Sequence, residues 1–276
     1  MSKSNPDFCN VVVPAAGTHA MDKVCLGLEW AEPLDHAMMR EISSSVSGKA
    51  LLLPRKIEFS SGSVAKTEAD ELPDVLKESD SELMGIIFDD NTEKDSPVEQ
   101  KNIELLIKPD GLLFTVQNSV GEWGETRERA KEVISSVFSI IRKYREFESI
   151  GLLVSNGFEI ADDDLPVSQI LNFESEYLPK KIFSSKDYWK LDNDYFWSEE
   201  SGRFNSNVEV SLTPTEEGRT LAIMTLQRLL PLADPLDDID VVFSHFEILY
   251  KKNVSLIQSF IHTDVCELIG MTNSRE

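Results

Sequence analysis

The sequence predicts an α+β fold of antiparallel sheets with long amphipathic helices, arranged as two structurally similar halves. Three observations predict it. The apolar runs Ile103–Ile107 and Leu112–Asn118 flank Lys108-Pro109-Asp110-Gly111, where proline presets φ and glycine tolerates positive φ, so they read as a hairpin. Ala130, Val133, Ile134, Val137, Phe138, Ile141 and Tyr144 recur at helical spacing and form one apolar stripe. Each half runs through several strands before a late helix, an order that suits α+β better than alternating parallel units.

The elements follow in chain order. Residues 1–20 are small and polar and are expected to form a flexible arm; 21–148 form the first half and 149–276 the second. Val24–Trp30 alternates like a strand, Met38–Val46 suits a short helix, and Lys56–Ser60 suits a second strand. Leu83–Phe88 is an apolar strand between acidic loops within Glu68–Glu99. The long helix opens at Trp123 and runs through Arg145; Glu125 and Glu128 near its start and Arg142, Lys143 and Arg145 near its end complement the helix dipole. In the second half, Ile150–Val154 is a strand, and Val208–Leu212 and Thr220–Gln227 flank Thr213–Gly218 as a second hairpin. Ile239–Phe246 reads as a third strand. Asn253 then caps a closing helix that stops at Gly270.

Composition restricts the function. Among 276 residues, 49 acids against 27 bases give a net charge of −22, which repels nucleic-acid phosphates and anionic membranes and favours a protein partner with a basic patch. Homo-oligomerisation stays open. The N-terminus lacks the apolar core of a signal peptide, and no apolar run is long enough for a membrane span. Three scattered cysteines suit a reducing cytoplasm. Neither a glycine-rich phosphate loop nor a G-x-S-x-G elbow occurs, and His262, Asp264 and Cys266 are spaced by two on a helix and so face different directions. Asp162–Asp164 and Asp234–Asp238 lack calcium-loop spacing. The expectation is no catalytic residue, no cofactor and no metal.

The segment Lys186–Trp197 is dense in aromatic residues on an acidic background. Tyr188, Trp189, Tyr195, Phe196 and Trp197 suit either a partner-binding surface or a cap on the core. Asp70, Glu71 and Asp74, in the most acidic stretch, join them as candidate partner contacts.

IELLIKPDGLLFTVQN (Ile103–Asn118), SIGLLVSNGFEI (Ser149–Ile160) and FSHFEILYKKNVSLIQSFIHTDVCELIGM (Phe243–Met271) carry a resemblance. They are similar to a sporadically distributed family of prokaryotic proteins with no established activity. The family's closing Phe-Ile-Thr-like motif reads Ser259-Phe260-Ile261-His262-Thr263 here, and its Tyr-Ile-Asn type strand reads Leu153-Val154-Ser155-Asn156, where only the Asn matches. The resemblance implies no catalytic residue. Its patchy distribution near mobile or defence genes implies an accessory or antitoxin-like role. A looser architectural likeness to SecB-type chaperones implies binding of unfolded chains. The readings are thus a non-enzymatic acidic protein-binding module, a SecB-like chaperone, or an enzyme whose site follows no known motif.

Overall fold

The computed structural model describes residues 12–14, 20–46, 48, 51–61, 82–90, 102–117, 122–161, 164–185, 187–216, 218–232, 236–269 and 271. Among the described residues, ten strands form one antiparallel sheet: β1 (Val12–Pro14), β2 (Met21–Glu29), β3 (Arg55–Ser60), β4 (Leu83–Asp89), β5 (Ile103–Lys108), β6 (Gly111–Gln117), β7 (Ser149–Ile160), β8 (Trp189–Glu199), β9 (Gly202–Thr215) and β10 (Gly218–Pro231). Their order is β3-β4-β5-β6-β2-β7-β10-β9-β8, with β1 pairing with β7. The helices are α1 (His36–Ser45), α2 (Trp123–Ile141), α3 (Ile239–Phe260) and α4 (Thr263–Leu268).

This architecture corrects the expected fold class. The molecule is not a set of sheets with long amphipathic helices. It is one large antiparallel sheet, with 44% of the structure in strands, accompanied by few helices. Two physical reasons account for the difference. Strands extend beyond their apolar runs because backbone pairing continues through polar residues: β7 passes through Ser155, Asn156 and Gly157, all paired with β10. The aromatic segment around Tyr195 is itself the strand β8, paired with β9 from Trp189–Leu212 to Glu199–Gly202.

Val12–Pro14, inside the stretch expected to be an arm, lies in the sheet against β7. The expected boundary near residue 148 falls between α2 and β7, and the pairing of β2 with β7 joins the strands on its two sides in one sheet. Read inward from either side, β4-β5-β6-β2 and β8-β9-β10-β7 meet at that pairing. In each run the strand before α2 or α3 lies beside the run's first strand.

Ile239–Phe246, expected as a strand, is the first part of α3. Asp238 caps that helix by accepting from the Asp240 amide at 2.7 Å, and Val242, Phe243, Phe246, Leu249, Asn253, Ile257 and Phe260 form its buried face. Asn253 is therefore an interior residue and not a cap.

One face of the sheet is covered: α3 packs on β7 and β10, α2 on β6 and α3, and α1 on β4 and α2. Burial there is worth about 25 cal/mol per Å² of apolar surface. The opposite face lacks a helical layer among the described residues. At its centre Gly27 pairs with Gly151, and Arg228 on β10 reaches over Gly151 to an ion pair with Glu29 on β2. No helix among the described residues is long and apolar enough to cross a membrane.

Candidate functional site

The site forms where the sheet extends past its helical cover. β8 is an edge strand: among the described residues its one sheet neighbour is β9. Alternation along a strand sends successive side chains to opposite faces. Leu191, Asn193, Tyr195 and Trp197 point to the helix side and are half-buried, whereas Lys190, Asp192, Asp194 and Phe196 point to the open face and are exposed. A tight connection fixes the strand. Glu199 pairs with Gly202, whose φ of 155° lies in the region that favours glycine; a Cβ there would stand 2.4 Å from the Leu230 carbonyl oxygen.

Because α3 covers β7 and β10, a cleft of about 590 Å³ opens between α3 and the outer strands. Its walls include Tyr177, Tyr195 and Trp197. The Tyr177 and Tyr195 rings meet edge-on at 5.6 Å, and Trp197 stacks on Phe204 at 5.3 Å. Burial pushes the Tyr195 hydroxyl above its ordinary pKa, and the neighbouring Tyr177 adds to this. At the rim, Lys252 binds Glu199 at 2.6 Å and sits 4.5 Å from the centre of the Phe204 ring. Glu199 also accepts from the Trp197 indole N–H at 2.9 Å. The Lys252 hydrogen bond, then the indole, holds the Glu199 carboxyl below its ordinary pKa.

The floor of the cleft is polar. Gln227 Nε2 donates to Ser206 Oγ at 2.7 Å, and both side chains are buried. Gln227 Oε1 finds no hydrogen-bond partner among the described residues, although the residue is only 1% exposed. An unsatisfied buried acceptor costs about 1–3 kcal/mol.

Gln227 belongs to a seam that divides the interior into two apolar clusters. On β9, Ser206 stands between Phe204 of one cluster and Val208 of the other; on β10, Gln227 and Thr225 stand between Leu229 and Ile223. On β7, Asn156 separates Val154 from Phe158, and on α3, Asn253 separates Leu249 from Ile257. Thr225 donates to Asn253. Both polar atoms of the Asn156 side chain lack a partner among the described residues. The seam ends at the cleft floor, where Ser206 and Gln227 line the opening.

The residues singled out from the sequence separate accordingly. Tyr195 and Trp197 meet in the cleft. Phe196, 77% exposed, lies on the open face, and Tyr188 is exposed just before β8. Trp189, at the far end of the strand, packs against the second cluster. Asp70, Glu71 and Asp74 lie outside the described residues. Gln227 and Ser206 carried a signal that the sequence reading passed over, namely polar residues in the apolar phase of alternating strands. Elsewhere, His36 accepts from the Leu83 amide at 2.8 Å, His262 caps α4, and His245 is buried in α3. Burial pushes the Cys266 thiol up to about 11. No cluster of potential metal ligands occurs among the described residues.

Compared with known proteins, the chain matches no protein-family model and no curated protein sequence.

Proposed function

We propose that the chain is a non-enzymatic protein-binding module that receives an extended segment of its partner along the outer edge of β8. The observation that carries this reading is the combination of an eleven-residue edge strand with a cleft directly behind it. An unpaired edge presents a row of backbone donors and acceptors that an added strand satisfies, while pockets beside it select alternate side chains. Charges on an edge also guard against indiscriminate pairing. A guarded edge needs no aromatic cleft with an unsatisfied acceptor on its floor, and β8 has one.

The test is selection from a random linear-peptide phage library on the immobilised full chain, with Trp197→Ala and Tyr195→Ala as controls. Enrichment of sequences that bind the native chain and lose binding to both variants supports the reading. No enrichment, or equal capture by the variants, contradicts it.

A further inference from the structure

We infer the chemistry of that partner segment: basic residues alternating with aromatic residues. The inference rests on the edge-strand reading and takes it a step further. A strand added to β8 continues its alternation, so each added side chain lies beside a β8 side chain on the same face.

On the open face the neighbours are acidic. Asp192 and Asp194 are exposed, Asn207 donates to both at 2.8 and 3.3 Å, and Glu209 lies beyond them on β9. Lys190 is already engaged with Glu209 at 2.7 Å, which leaves the two aspartates as the outward charge. An incoming lysine or arginine on this face meets carboxylates. Self-pairing of two copies is disfavoured by the same residues: an antiparallel register centred on Asn193 sets Asp192 opposite Asp194, like charge against like charge.

On the helix face the neighbours are Tyr195 and Trp197, the aromatic wall of the cleft. Aromatic walls favour an aromatic side chain.

The experiment uses three synthetic peptides with the full chain: alternating Lys-Trp, alternating Glu-Trp and alternating Lys-Ala, with affinities measured by fluorescence anisotropy. The Lys-Trp peptide is expected to bind about tenfold more tightly than either of the others. Asp192→Lys combined with Asp194→Lys is expected to reverse the preference between Lys-Trp and Glu-Trp. The double variant remains strongly acidic overall, since the native net charge is −22, so a preference set by the general field would survive it. Tyr195→Ala combined with Trp197→Ala is expected to erase the difference between Lys-Trp and Lys-Ala, with Trp197→Ala alone as a companion variant should the double variant fail to fold. Equal binding of Lys-Trp and Glu-Trp, or a preference that persists in the double variant, overturns the charge assignment. Equal binding of Lys-Trp and Lys-Ala to the native chain overturns the aromatic assignment. Absence of binding by all three overturns the inference, whereas the edge-strand reading falls only if the phage selection also fails.

Discussion

Gln227 and Ser206 show what a buried polar pair does to stability. Replacing both members of a buried polar pair with apolar groups of similar shape is close to neutral, whereas stranding one member is costly. Gln227→Leu with Ser206→Ala is therefore expected to leave stability within about 1 kcal/mol of the native value by urea denaturation, whereas Ser206→Ala alone, which strands the Gln227 amide, lowers the midpoint. Arg55 and Asp89 behave in the opposite way. The guanidinium binds the fully buried carboxylate through two nitrogens, at 2.8 Å from Nε and 2.8 Å from Nη2. Arg55→Met removes that cation and is expected to cost about 3–5 kcal/mol, read as a fall in the urea midpoint. Cys266 supplies a pH readout. Its folded pKa of about 11 lies above the ordinary 9.0, so the stability linked to the thiol form is present below 9.0 and is lost as pH rises through about 11. Iodoacetamide at pH 8 should label Cys266 slowly in the native chain and rapidly in urea, as peptide mapping by mass spectrometry will show. For Glu199 the sign is reversed: its lowered pKa gives stability that is present above the ordinary carboxylate range and lost as pH falls through the lowered value.

At the scale of elements, the hairpin around Pro109-Asp110-Gly111 was legible because its turn chemistry is local; β5 and β6 pair from Ile103–Val116 to Lys108–Gly111. The stripe of α2 was legible for the same reason: Ala130, Val133, Ile134, Val137, Phe138 and Ile141 are all buried. The start of α3 was not, because Val241, Val242 and Phe243 have strand-like composition and their helical phase shows only over the longer span from Val242 to Phe260. Nor was β8 read as a strand, although Trp189, Leu191, Tyr195 and Trp197 alternate with Lys190, Asp192 and Asp194 at the strand period; polar Asn193 on the inner face and apolar Phe196 on the outer one blur that alternation. The β8–β9 connection offers a direct test. Gly202→Ala forces a side chain into a positive-φ position 2.4 Å from a carbonyl oxygen, and is expected to cost at least about 1–3 kcal/mol. A drop in melting temperature together with weakened peptide binding would show that this turn holds β8 in place.

At the scale of the molecule, the interior is two apolar clusters joined by one sheet, with a polar seam between them that four separate elements build. Each contribution is visible in the sequence once the phase is known: Ser206 between Phe204 and Val208, Gln227 and Thr225 between Leu229 and Ile223, Asn253 four residues from both Leu249 and Ile257. Their convergence is a property of topology, since β10 lies between β7 and β9 only because the chain returns to pair there. The merging of β2 with β7 into one sheet was hidden for the same reason. The net charge of −22, by contrast, was readable at once, and on β8 it becomes the specific pair Asp192 and Asp194.

The most direct test of the central claim is hydrogen–deuterium exchange of the full chain with and without the alternating Lys-Trp peptide. An added strand converts exposed edge amides into hydrogen-bonded ones, so exchange is expected to slow across Trp189–Glu199, with little change at β3 on the opposite edge of the sheet. Exchange of β8 that is unaltered by saturating peptide, or protection equal at both edges, would contradict the assignment of β8 as the docking strand.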